Sequence, residues 1–198
     1  MWYWVLRVLS KLILRIFFNF KVAGLENIPK KTNFIVAANH VSFLDPFIIG
    51  VAIPKRINWL ASRFFYSYAW FKWFFRKLDA LSTGNVSERA VFLLEANKNV
   101  GLFPEGCRSH DGSLGGFRRG AALLAFKTGR PVVPCVIKGA YEVLPRGKFF
   151  PKLFLPIEVK IGKPIYLLKE FEKKIDDVYL QKGTSKIKSS IEEMLNAG

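Results

Sequence analysis

The stretch Asn33–Gly50, NFIVAANHVSFLDPFIIG, decides the fold. Residues 33–39 are an apolar run rich in residues that favour strands, and it stops at a polar pair, Asn39-His40. Asp45-Pro46 then opens a helix over Pro46–Ala52, because proline is well placed in a first helical turn. A strand that feeds a helix after a short turn is the repeating unit of a sheet covered by helices.

The same alternation continues downstream. INWLAS (57–62), VGLF (100–103), VVPCVI (132–137) and LPIEVKIG (155–162) read as strands. Val86–Asn97 and Gly120–Lys127 read as helices, and Asn85 followed by Glu88 resembles a capping box for the first of them. Thr184–Ala197 is an amphipathic helix with Ile187, Ile191, Met194 and Leu195 on one face. Residues 146–152, with Pro145 before them and Pro151 within, form an exposed basic loop. No internal repeat or low-complexity linker interrupts the chain. The expected fold is α/β, a mixed central sheet covered by helices, with an amphipathic helix at the amino terminus. Residues 1–21 are expected to form that helix and residues 22–198 one folded domain.

Composition limits the partners. The 198 residues suffice for one domain, and 31 Lys and Arg against 15 Asp and Glu leave a net charge of +16. Such a charge attracts nucleic acid, an acidic carrier protein or an anionic leaflet. The mean hydropathy of +0.17 and the 19 Phe residues favour the lipid surface, and no basic-aromatic recognition signature for nucleic acid is present. Cys107 and Cys135 lack CxxC spacing, so each reads as a small buried residue in a reducing compartment; with two His they make a poor metal set, and no metal is expected.

Residues 2–20, WYWVLRVLSKLILRIFFNF, read as one helix in which Arg7, Lys11 and Arg15 recur every four positions as a basic stripe. Each Lys or Arg near mid-bilayer costs ~2.5–3.5 kcal/mol, so a helix lying in the interface with its stripe at the phosphates is favoured over a spanning one. An amphipathic helix packed on its own domain is the remaining reading. A second aromatic block, FFYSYAWFKWFF (64–75), either touches lipid, lines an acyl-chain groove or packs in the core.

Two motifs carry the chemistry. In NHVSFLD (39–45), a turn that brings Asp45 back to His40 lets the carboxylate accept the Nδ1 proton, leaving Nε2 as a base. The spacing alone also fits a capping Asp beside an incidental His. In FPEGCRS (103–109), Gly106 lets backbone N–H groups approach an anion, Arg108 offers a planar fork for a phosphate, and Glu105 can accept from a substrate hydroxyl. A surface Glu–Arg pair on a tight turn fits that motif too.

Together, NHVSFLD and FPEGCRS resemble the glycerolipid acyltransferase family, above all the 1-acylglycerol-3-phosphate O-acyltransferases. The resemblance covers roughly residues 21–167, with Phe117-Arg118-Arg119-Gly120 standing at the family's basic-Gly turn and VVPCVI at its Pro-containing motif. It implies that His40 is the general base, Asp45 its orienter, and Glu105, Gly106, Arg108, Ser109 and Arg118 part of the acceptor site. Pro134 is then expected in a strand lining the acyl pocket. The implied reaction moves an acyl group from acyl-CoA, acyl carrier protein or acyl phosphate to the sn-2 hydroxyl of lysophosphatidic acid, without cofactor, at the cytoplasmic face of the membrane as a peripheral or monotopic enzyme. The chain departs from the family in having no Arg over Leu78–Gly84, which leaves room for another lysophospholipid acceptor and leaves Lys77 or Arg118 to substitute. A non-catalytic basic protein on the membrane surface is the alternative from another class.

Overall fold

The computed structural model describes residues 2–61, 81–82, 86–168 and 176–197. Their strands are β1 Lys21–Ala23, β2 Ile35–Ala38, β3 Ile57–Ala61, β4 Leu81–Ser82, β5 Asn99–Leu102, β6 Val132–Lys138 and β7 Glu158–Ile161. They form one sheet in the order β1-β7-β6-β2-β5-β3-β4. The β6–β7 pair is antiparallel and the other pairs are parallel, so the sheet is mixed as expected. The described helices are α1 Trp2–Phe18, α2 Asp45–Ala52, α3 Val86–Glu95, α4 Gly120–Thr128, α5 Ala140–Val143 and α6 Asp177–Asn196.

Every residue of β2 is buried, because helices cover both faces of this central strand. That is why residues 33–38 show a continuous apolar run rather than an alternation. Val36 and Ala38 turn to a layer built with Leu14 and Phe18 of α1 and Ile48 and Ile49 of α2. Ile35 and Ala37 turn to the other layer, with Leu94 of α3, Leu124 of α4, and Ile187 and Ile191 of α6. Each fully buried Leu or Ile contributes about 1.5–3 kcal/mol.

Several boundaries moved for physical reasons. The last helix begins at Asp177, well before Thr184, because Asp176 caps it by accepting from the Val178 N–H. Gly183 lies inside this helix at a close approach: a Cβ there would lie 2.9 Å from Phe126. β1 and β4, three and two residues long, carry too little pattern to be foreseen.

Helix α1 packs on its own domain along one face and leaves another face open. Leu14 and Phe18 are buried in the core, while Val5, Val8, Leu9, Leu12, Ile13 and Ile16 present an exposed apolar face. The basic stripe departs from expectation at Arg7, which turns inward. Its Nε donates to Gly50 O at 3.1 Å and its Nη2 to Val51 O at 3.2 Å, satisfying carbonyls at the end of α2 that have no helical partner. Among the described residues no helix is long and apolar enough to cross a membrane. The aromatic block 64–75, Lys77 and Asn85 lie outside the described residues.

Candidate active site

Ala37 of β2 lies opposite Leu102 of the parallel neighbour β5. His40 and Glu105 each follow three residues later, so the two motifs leave the sheet side by side at the carboxyl ends of its strands, where open α/β sheets form their sites.

The His40 Nδ1 lies 2.8 Å from Asp45 Oδ2, and Asp45 is fully buried. The same oxygen accepts the Val41 N–H at 2.7 Å and the Ser42 N–H at 2.8 Å. An oxygen that already receives two amide protons acts as acceptor toward the imidazole too, so Nδ1 carries the proton and Nε2 the lone pair. Burial pushes the Asp45 carboxyl up, while the His40 hydrogen bond and charge and the two amides pull it back. Phe103 stacks on the imidazole at 4.0 Å between centroids, and Trp59 stacks on Phe103 at 4.9 Å, which fixes the ring plane. Asn39 is tied across to β6 by donating to Ile137 O at 3.0 Å and accepting from Ile137 N at 2.8 Å. Ser42 Oγ donates to Leu144 O at 2.8 Å. The turn is thus held from both sides.

Glu105 occupies a different place from the one read in the sequence. It is buried, its Oε1 accepts the His40 N–H at 2.7 Å, and its Oε2 accepts the Gly115 N–H at 2.8 Å. The Ser109 N–H donates to His40 O at 2.7 Å, so the FPEGCRS segment grips both polar groups of the His40 backbone. Burial raises the Glu105 carboxyl, and the Gly115 and His40 amides counter it. Glu105→Gln keeps the shape but turns one acceptor into a donor facing an N–H. The variant should therefore lose about 1–3 kcal/mol of stability, with turnover falling alongside; thermal melting and kcat together check this.

Gly106 has φ +75, and a Cβ there would lie 2.5 Å from Arg118 Nε, so the Arg118 side chain lies over this glycine. The Arg118 N–H also donates to Pro104 O at 2.7 Å. Ser109 Oγ donates to Asp111 Oδ1 at 3.1 Å and accepts from Gly112 N at 3.0 Å, shaping the next turn. Arg108 is partly buried, and burial, followed by the charge of Arg146, lowers its pKa. In the sequence Arg146 is one cation of an exposed basic loop. Its Nη1 donates to His110 Nε2 at 2.6 Å and to Arg108 O at 3.4 Å. A contact across 36–38 positions through an irregular loop leaves no pattern in the chain. Pro134 is buried beside Gly162 and Met194. Met194 belongs to the α3–α4–α6 layer, whereas Trp59 and Phe103 belong to the opposite one. Cys135 is buried and its thiol is pushed up to about 12, but Cys107 is exposed, contrary to the sequence reading.

A family described as Acyltransferase matches residues 19–138, which include both motifs and the Pro134 strand. The chain belongs to the Acyltransferase family. It is 30% identical over 185 residues to the chloroplastic 1-acyl-sn-glycerol-3-phosphate acyltransferase LPAT1 of Arabidopsis thaliana, covering 89% of this chain and 50% of that one. It is 28% identical over 167 residues to the 1-acyl-sn-glycerol-3-phosphate acyltransferase of Bacillus subtilis, covering 79% of this chain and 78% of that one. Among solved structures, the 1-acyl-sn-glycerophosphate (LPA) acyltransferase PlsC from Thermotoga maritima is similar with a TM-score of 0.78 and 27% identity, covering 99% of this chain and 80% of that one. The chain spans about half the length of the two plant relatives it matches, LPAT1 and the chloroplastic BAT2 of Brassica napus.

Proposed function

We propose that this acyltransferase moves a fatty acyl group from acyl-CoA, acyl carrier protein or acyl phosphate to the sn-2 hydroxyl of 1-acylglycerol 3-phosphate, forming phosphatidic acid. The observation that carries the reading is the His40–Asp45 contact of 2.8 Å on a backbone gripped by Glu105 and Ser109. The names of the relatives supply the substrate class. In the reaction, the acceptor oxygen attacks the acyl carbonyl carbon while Nε2 of His40 takes the hydroxyl proton. As the carbon–sulfur or acyl–phosphate bond breaks, the imidazolium returns that proton to the leaving group. Asp45 holds the tautomer and stabilises the transient imidazolium.

Arg108 and Arg146 form the acceptor-phosphate site, with Arg118 over Gly106 beside them. The charge of Arg146 bears on the partly buried Arg108 guanidinium, and a phosphate monoester bound by both relieves that repulsion and the burial of Arg108. This supplies cations without an Arg in residues 78–84. Arg108→Ala should raise the KM for lysophosphatidic acid by about 10–100-fold, and Arg108→Lys should recover only part, because a point charge lacks the fork. Pro134, on the opposite layer, supports the sheet from below.

The exposed apolar face of α1 rests on an anionic leaflet and presents the strand ends to the lipid acceptor, in keeping with a peripheral or monotopic enzyme at the cytoplasmic face. The test is an acceptor panel in mixed micelles: lysophosphatidic acid, lysophosphatidylcholine and monoacylglycerol. Lysophosphatidic acid should be preferred, and that preference should vanish in Arg108→Ala. A preference for lysophosphatidylcholine, or one unchanged in the variant, overturns the assignment.

A further inference from the structure

The segment Arg146–Phe154, RGKFFPKLF, is the most exposed apolar stretch of the described chain outside α1. Phe149 is 90% exposed, Phe150 88% and Phe154 75%, with Leu153 between them. Four large apolar side chains left in water on one loop are costly, and such patches mark interaction surfaces. The loop is nevertheless anchored at its base. The Lys152 N–H donates to Val143 O at 2.8 Å, the Lys148 N–H to Pro145 O at 3.2 Å and the Phe154 N–H to Phe17 O at 2.7 Å. Phe154 adopts φ +64, a left-handed conformation that a bulky residue rarely takes, and its ring lies 6.0 Å from that of Phe17. Strain of this kind persists only where the surroundings impose it.

The occupant follows from chemistry and continuity. Arg146, Lys148 and Lys152 alternate with the rings and no acid intervenes, a combination suited to lipid phosphates above and acyl chains below. Through Phe17 the patch joins the end of the exposed α1 face, where Ile16 is 66% exposed. We infer that residues 146–154 are a second membrane-contact element, inserting Phe149 and Phe150 at the headgroup–acyl boundary of an anionic leaflet beside α1. Two contacts define a plane where one helix allows rolling, and Arg146 at the root of the arm ties that plane to Arg108 and His110. The arm thereby sets the depth and tilt at which the acceptor phosphate meets its site. This inference rests on the membrane reading of α1 given above.

The test compares full-length wild type with Phe149→Ala/Phe150→Ala and, separately, with Val8→Asp/Leu12→Asp in α1, on mixed phosphatidylcholine–phosphatidylglycerol vesicles. The arm variant should partition about tenfold more weakly, since two aromatic rings lose burial. Its KM for vesicle-borne acceptor should rise, while its melting temperature and its turnover of a short-chain, water-soluble lysophosphatidic acid stay the same. If wild type and the α1 variant differ in partition but the arm variant matches wild type, the arm is overturned and the α1 reading stands. If wild type does not bind these vesicles at all, both fall. If the arm variant loses self-association in solution while keeping its partition, the surface belongs to a second copy of this chain and the inference is wrong.

Discussion

His40→Ala is expected to lower acyl transfer by at least about 10³-fold, in the upper part of the 10²–10⁴ range that a positioned base supplies. The imidazole is the base nearest to Asp45, and the other histidine, His110, is engaged with Arg146 instead. Folding should survive, because the contacts that hold residue 40 in place are made by its backbone. Its N–H donates to Glu105 and its carbonyl accepts from Ser109, and alanine keeps both. Asp45 retains the Val41 and Ser42 amides. The local cost is the stack on Phe103 and one hydrogen bond, about 1–3 kcal/mol in thermal melting. A variant that melts close to wild type and still turns over at the wild-type rate removes His40 from the chemistry.

Asp45→Asn should cost about 10²–10³-fold in kcat, with little change in KM. The asparagine oxygen can take the place of Oδ2 and accept from His40, Val41 and Ser42 together. Its amide then falls where Oδ1 lies buried without a partner, leaving an unpaired donor and no charge opposite the imidazolium. The substitution leaves the shape of the site and removes the charge, so kcat is the parameter that moves. An effect confined to KM would assign Asp45 to substrate binding instead.

The fold and the pairing of His40 with Asp45 were legible in the sequence for one reason: both are written in local patterns. Residues 33–38 are apolar because both faces of β2 are covered, and NHVSFLD closes on itself within one turn. The parallel register of Ala37 with Leu102 then carries the second motif to the first. What stayed hidden depends on contacts between distant segments. Glu105 looks like an exposed carboxylate in FPEG, yet it is spent on two backbone amides, one of them from Gly115. Arg7 belongs to a helical stripe spaced for phosphates, yet it caps α2 because the packing of α1 brings two open carbonyls within reach. Arg146 joins His110 only through the path of the loop after α5. Nothing local marks Gly183 as a contact point, and only the position of Phe126 explains why a residue without a side chain stands there.

Acyl transfer to lysophosphatidic acid with His40 as base is the proposal on which the other residue roles rest. The most direct measurement is phosphatidic acid formed by purified wild type and His40→Ala from 1-acylglycerol 3-phosphate in mixed micelles, with acyl-CoA, acyl carrier protein thioester and acyl phosphate supplied in turn. Wild type should form phosphatidic acid from at least one donor, and His40→Ala should form at least about 10³-fold less from that same donor. No product from wild type with any donor, or equal rates in the two proteins, contradicts the account.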